Sequence, residues 1–222
     1  MAELRFYFGT MGSGKSTQAL QIHHNLVTRG HEVILTTQLD REAGQISSRL
    51  GVSAEAEIVT HETDLYDMAA SHHDFVGLDA MICDEAQFYE PQQIEQLAKV
   101  VDLMMVDVYA FGLLTSFQGE LFPGSQRLLE LSDSRHELQV ESRCWCGKRA
   151  THNARLVNGR QVYAGALKVV GDTTDRSDAD ANTTYELRCR YHWHEAKWAA
   201  EGDQLVLPTM ESQPSPEHPS FG

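Results

Sequence analysis

Apolar residues along the chain fall into short runs separated by stretches of helical spacing. "LRFYFG" (4–9) is a compact aromatic run closed by glycine, which predicts a buried strand feeding a tight turn. From Lys15 to Arg29 the apolar positions Ala19, Ile22, Leu26 and Val27 recur near helical spacing, and Gly30 supplies a stop. "EVILTT" (32–37) predicts a second strand and "LDAMICD" (78–84) a third, after which Pro91 opens a helix to about Met104. "VDVYAFGL" (106–113) predicts a fourth strand, "SQRLLELSD" (125–133) a helix, and "HELQVES" (136–142) a last, alternating strand. His23-His24 and His72-His73 fall on predicted helices as solvated or half-buried positions. Strands interleaved with helices place the chain in the α/β class, with a mostly parallel sheet and crossover helices.

The pattern changes at Arg143. From there to about His194 come turns, cysteines and short β-like runs such as "RQVYAG", with little helix. The end, "PTMESQPSPEHPSFG", is rich in Pro, Ser and Glu and predicts a disordered tail. The expected division is therefore a domain over 1–142, a small lobe over 143–195 and a tail over 196–222.

Composition narrows the function classes. Eighteen Lys and Arg stand against 32 Asp and Glu, a formal net charge of −14. Such a surface repels phosphate backbones, which argues against a nucleic-acid partner. No run approaches the roughly 18 apolar residues of a membrane span, and the charged N-terminus does not read as a signal peptide. A cytoplasmic protein without membrane partners is expected.

"GTMGSGKST" matches G-x-x-x-x-G-K-[ST] between a predicted strand and helix. Gly9, Thr10, Met11, Gly12, Ser13, Gly14, Lys15, Ser16 and Thr17 would form the loop. Its glycines let backbone amides curl round phosphates at a helix N-terminus. Lys15 can reach the β- and γ-phosphates, and the Ser16 hydroxyl can ligate Mg²⁺. The chain is thus expected to use ATP with Mg²⁺, on a P-loop (RecA-like) sheet.

"MICDEAQFYE" (81–90) has two readings. Asp84-Glu85-Ala86-Gln87 spells the box of a nucleic-acid-dependent ATPase. Alternatively, Asp84 at the strand end serves Mg²⁺ while Glu85 faces a nucleophile. A helicase motor needs two such lobes, and 222 residues leave no room for the second. A regulatory module that binds nucleotide without turnover would not need both Lys15 and Glu85.

Cys83 lies in an apolar run and reads as a buried thiol. Cys144, Cys146 and Cys189 cluster late, with His192 completing two pairs, "CWCG" and "CRYH". Three cysteines and a histidine suit a closed, structural Zn²⁺ site that staples a core-poor lobe. His194 and His152 are alternative fourth ligands.

Taken together, these elements resemble the type II, zinc-bearing cytosolic thymidine kinases from about residue 4 to 194. The resemblance rests on "GTMGSGKST", "DEAQF" (84–88), "FGLLTSFQGELFPGS" (111–125), "CWCGKRATHNARL" (144–156) and "YELRCRYH" (185–192), in that order. It implies transfer of the γ-phosphoryl of ATP to the 5′-hydroxyl of thymidine, with deoxyuridine a close alternative. Glu85 would be the general base, with Lys15, Ser16 and Asp84 managing phosphates and Mg²⁺. Arg41 resembles the family's arginine near the transferring phosphate, with Arg49 a near neighbour. Met11, Phe88, Leu113 and Phe117 would wall the thymine and Gln87 would support the site. Tyr185, with the backbone of Val169, Val170 and Gly171, would belong to a nucleoside-covering loop on a zinc-ribbon-like lobe. A homotetramer and feedback inhibition by dTTP are further implications. Two departures stand out: the first cysteine pair is one residue closer than the family's common spacing, and "GDTTDRSDADANTTY" is longer and more acidic than its usual loop.

Overall fold

The structure, a computed structural model, describes residues 1–38, 45–47, 53–138, 141–167 and 183–200. Arg41, Arg49, Val169, Val170, Gly171 and residues 201–222 of the expected tail lie outside the described residues, while residues 196–200, expected as tail, continue a helix.

The chain runs through β1 (Leu4–Phe8), α1 (Lys15–Thr28), β2 (Val33–Thr37), β3 (Gln45–Ser47), β4 (Ser53–Glu55), β5 (Glu57–Ile58) and α2 (Leu65–Val76). It continues through β6 (Ala80–Asp84), a 3-10 turn (Ala86–Phe88), α3 (Pro91–Met104), β7 (Asp107–Gly112), α4 (Pro123–Leu131) and β8 (Ser134–Glu137). β9 (His152–Val157), β10 (Arg160–Val162), β11 (Thr183–Arg188) and α5 (Arg190–Ala200) follow.

Six strands form one sheet in the order β5-β2-β6-β7-β1-β8, and every pairing in it is parallel. β6 is buried along its whole length and β2 along most of it, so their sequences read as continuous apolar runs rather than alternations. Phe6, Met81, Val108 and Ala110 join residues of α2 and α3 in one core on one face. Ala19 and Leu20 of α1 meet Leu35, Ile82 and Phe111 on the other.

Local chemistry sets the helix ends. Asp64 accepts from the Asp67 N–H (2.9 Å) to cap α2, and Gly77 ends that helix at φ 80°. Pro91 opens α3, where the Gln93 side chain accepts from the Glu90 N–H (3.0 Å). Gln93 also donates to the carbonyls of Thr60 and Thr63, and Gln96 to Asp64, so the loop before α2 is stitched to α3.

The expected α1, β1, β2, β6, α3 and β7 lie within a residue or two of their predicted limits. α4 starts earlier than expected because Pro123 can occupy the first helical position. β8 is shorter than the predicted 136–142 and begins at Ser134, paired in parallel with β1. β9, β10 and β11 form a separate antiparallel sheet in the order β10-β9-β11. The late region also carries more helix than its composition suggested: α5 starts immediately after Cys189. No described helix is long and apolar enough to cross a membrane.

Candidate active site

β7 separates β1 from β6 in the sheet, and the register sets Phe8 opposite Gly112 and Cys83 opposite Ala110. The residues that follow these strands, Gly9, Glu85 and Leu113, and Asp84 at the end of β6, therefore emerge along one edge. The carboxyl ends of parallel strands are where α/β sheets bind ligands.

The phosphate loop leaves β1 at Gly9. A Cβ there would lie 2.5 Å from the Ser13 hydroxyl oxygen and 3.1 Å from the Leu138 carbonyl, so only glycine lets the loop close on itself. Gly12 and Gly14 have φ of 71° and 81°, the left-handed region that glycine enters cheaply. Ser13 N–H donates to the Thr10 carbonyl (3.1 Å) and Gly14 caps α1. Lys15 Nζ folds back onto the Thr10 carbonyl at 2.9 Å, and the residue is 9% exposed. Thus Gly9 to Thr17 form one continuous cradle that runs into a helix N-terminus.

Asp84 ends β6, buried, with the Ser16 hydroxyl favouring its charged form. Burial pushes its carboxyl up and the neighbouring Glu85 charge adds to this. The Ser16 hydroxyl, the Glu85 N–H and the Lys15 ammonium pull back, leaving it at about 6. A buried carboxylate so hard to ionise, set against a hydroxyl, fits a divalent cation that would repay its desolvation.

Glu85 adopts φ 55°, a conformation rare for a bulky side chain. Its surroundings impose it. Gln87, 1% exposed, donates through Nε2 to Glu85 Oε2 at 2.6 Å and accepts through Oε1 from the Leu113 N–H at 3.0 Å. Close-packed glycines flank this turn: a Cβ on Gly112 would lie 2.8 Å from Gln87 Oε1, and one on Gly124 would lie 2.6 Å from the Ala86 and Tyr89 carbonyls. Beneath the turn, Tyr89 Oη meets Thr36 Oγ1 at 2.9 Å, and burial pushes the Cys83 thiol up to about 12, as expected of an inert core cysteine.

Beside the turn from Gln87 to Glu90 opens a cleft of about 560 Å³ lined by Gln38, Val59, His61, Gln87, Phe88, Phe122 and Leu167 among others. Phe88 and Phe122 meet edge to face, with centroids 5.4 Å apart. Of the expected base walls, Phe88 lines this cleft, as does the supporting Gln87, while Met11, Leu113 and Phe117 and the covering-loop Tyr185 lie outside its lining.

Phe117 and Tyr185 instead meet through Arg155 of β9. The Arg155 guanidinium lies 3.6 Å from the Phe117 ring centroid and donates to Tyr185 Oη (2.8 Å). It also donates to the carbonyls of Ala166 (2.7 Å) and Leu167 (3.3 Å). Sequence reasoning missed Arg155, Phe122 and Asn153. "ARL" was legible only as a motif fragment, and Phe122 offered nothing to separate it from core filling.

At the far end of β9 and β11, Cys144, Cys146, Cys189 and His192 present ligand atoms all within 4.8 Å of one another. Cys146 and Cys189 sulfurs are 3.8 Å apart, the edge of a tetrahedron with Zn–S of about 2.3 Å. Cys144 Sγ and His192 Nδ1 are 3.1 Å apart. Burial opposes ionisation of Cys144, yet the Cys189 and Cys146 N–H groups and His192 draw its thiol down to about 6. Cys146 moves the other way: the Lys148 N–H favours its thiolate, but desolvation and the adjacent sulfurs outweigh that. Thiolates crowded in this way fit a bound cation. Of the alternative ligands, His152 turns to Thr151 Oγ1 (2.9 Å) and stacks on Trp193, and His194 also packs on Trp193.

The family model for thymidine kinase matches residues 2–193. The chain belongs to the thymidine kinase family. A thymidine kinase of Streptomyces coelicolor is 52% identical over 194 residues, covering 86% of this chain and 88% of that protein. One from Cutibacterium acnes is 48% identical over the same shares, and one from Ruegeria pomeroyi 42% over 203 residues, 88% of this chain and 96% of its own. Within this family the letters Asp-Glu-Ala-Gln need no helicase motor to account for them.

Proposed function

We propose that the chain transfers the γ-phosphoryl group of ATP to the 5′-hydroxyl of thymidine, and of deoxyuridine with it. The observation that carries this reading is the juxtaposition of three features along one sheet edge. They are a phosphate loop, a buried aspartate whose charge that loop's serine favours, and a glutamate whose carboxylate is held by Gln87. In the reaction the 5′-oxygen forms a bond to the γ-phosphorus as the bond to the β,γ-bridging oxygen breaks. The hydroxyl proton passes to Glu85, and ADP leaves. Lys15 and the loop amides stabilise charge on the phosphates. Ser16 and Asp84 would hold Mg²⁺, which neutralises phosphate charge when bound. Gln87 aims the Glu85 carboxylate, and the strained backbone of Glu85 keeps it from turning into the strand.

Phe88 and Phe122 offer the flat pyrimidine apolar faces. Met11, Leu113, Phe117 and Tyr185 extend that wall, and the family resemblance adds Arg41, Val169, Val170 and Gly171. Zn²⁺ on Cys144, Cys146, Cys189 and His192 would be structural, since four protein ligands leave no open position. The division at residue 143, a cytoplasmic location, a homotetramer and inhibition by dTTP complete the reading on the same resemblance.

The test is thymidine monophosphate formation from ATP, Mg²⁺ and thymidine. Glu85→Gln should lower kcat by about 10²–10⁴-fold while thymidine still binds. Absence of product from the wild type, or full activity in the variant, sinks the reading.

A further inference from the structure

β9 presents two buried polar side chains, Asn153 and Arg155, on alternate positions of the strand. Arg155 serves the Phe117 and Tyr185 contacts. Asn153 does something different: its Oδ1 accepts from the N–H of Met11, 2.9 Å away and 142 residues earlier. A side chain of the small sheet thus fixes the backbone of the phosphate loop. Asn153 is 5% exposed, so this bond does not compete freely with water.

Met11 is an unusual place for such an anchor. Its backbone belongs to the ATP cradle, between Gly9 and the left-handed Gly12. β9 meanwhile pairs with β11 over six residues, setting Asn153 opposite Leu187 and Arg155 opposite Tyr185. A shift of β9 therefore moves the contacts at Phe117, Tyr185 and Leu167 together with the loop at Met11.

We infer that Asn153 is a positioning residue that couples the two substrates: seating the nucleoside against the small sheet fixes β9, and the Asn153–Met11 bond then pre-forms the phosphate loop. Resting on the kinase reading, the inference adds that nucleotide affinity depends on whether nucleoside is present. By linkage, ATP tightens nucleoside by the same factor.

The experiment uses the full, zinc-loaded chain. Dissociation constants of the non-hydrolysable ATP analogue AMP-PNP, with Mg²⁺, are measured by calorimetry with and without saturating thymidine. Wild type should bind the analogue about fivefold tighter with thymidine, the worth of one partly buried hydrogen bond. Asn153→Leu, similar in size but lacking the acceptor, should bring that ratio close to one. Asn153→Asp keeps the acceptor and should keep the ratio, although its charge weakens nucleotide binding with or without nucleoside. If Asn153→Leu loses its zinc or its cooperative unfolding, Asn153→Ser, too short to reach Met11, replaces it. A merely structural role for Asn153 would lower stability and leave the ratio unchanged. A wild-type ratio of one, or a wild-type ratio in the Leu or Ser variant, overturns the coupling. Failure of the wild type to bind thymidine at all would instead overturn the kinase reading.

Discussion

The edge of the six-stranded sheet and the small three-stranded sheet both hold polar side chains in fixed positions, but with different means. At the large sheet's edge, position comes from backbone: parallel strands in register, glycines too crowded for a Cβ, and a buried glutamine spanning two turns. A core of buried apolar residues on each face supports it. Among the described residues, the small sheet's buried cluster comprises Ala154 and Leu156 of β9 with Trp193 of α5. Its order rests on the ligand cluster and on side chains that reach across to the larger sheet. The phosphate loop is thus held by the larger fold itself, whereas the small sheet leans on the cysteine–histidine cluster and on contacts across to its neighbour.

Disabling the proposed Zn²⁺ site should separate the two most strongly. Cys189→Ser, or chelation, should reduce thymidine phosphorylation by about 100-fold or more. Binding of AMP-PNP in the absence of thymidine should stay within a few-fold of wild type, as calorimetry would reveal. If nucleotide binding collapses as well, the two regions are not separable and the contrast fails.

Two glycines sharpen the contrast at the level of packing. Gly124→Ala drives a methyl against the Ala86 and Tyr89 carbonyls at 2.6 Å, which are backbone and cannot step aside. It should cost about 1–3 kcal/mol in urea unfolding and displace Glu85. Gly119→Ala instead meets the Trp193 ring at 2.5 Å from a residue at φ 83°. Its cost should appear first as weakened thymidine binding, because the ring that must move lies on α5, packed against Ala154 and Leu156 of β9.

Arg155→Met keeps the stem and removes the guanidinium from Phe117, Tyr185 and two carbonyls. The KM for thymidine should rise by about tenfold with that for ATP at low thymidine unchanged. Equal effects on both substrates would place Arg155 in general stability instead.

The smallest effect concerns Asp84. Its folded-state carboxyl stands near 6, above an unfolded value near 3.8, so the folded protein holds the extra proton between those values. Without Mg²⁺, stability should therefore fall as pH rises from about 4 to 6 and stay lowered above. Asp84→Asn should unfold at higher temperature than wild type at pH 8, by a free energy on the order of 1 kcal/mol. The difference should vanish below about pH 4. Added Mg²⁺ with ATP should reverse the order at pH 8.

Much of the large sheet was legible because its signals are local. "GTMGSGKST" sits between a strand and a helix, and apolar runs such as "AMICD" mark strands buried on both faces. The ligand cluster was legible from residue type, though choosing His192 over His152 and His194 required the turn into α5. β3, β4 and β5 escaped notice because they are two or three residues long and mostly polar. The Asn153–Met11 bond had no local signal, since its partners are 142 residues apart. Arg155 was visible only inside the "ARL" fragment, because its partners Phe117 and Tyr185 are brought to it by the fold.

Trp145 gives the ligand cluster one more property. Its indole lies flat against the His192 imidazole, centroids 4.5 Å apart, and is 62% exposed. Indole emission responds to the protonation and ligation of a ring in contact with it. With Zn²⁺ at this cluster the unlabelled protein would carry an optical gauge of metal loading, and Trp145→Phe would separate its signal from those of Trp193 and Trp198. Chelator titrations could then be followed in real time, in the same cuvette as the assay.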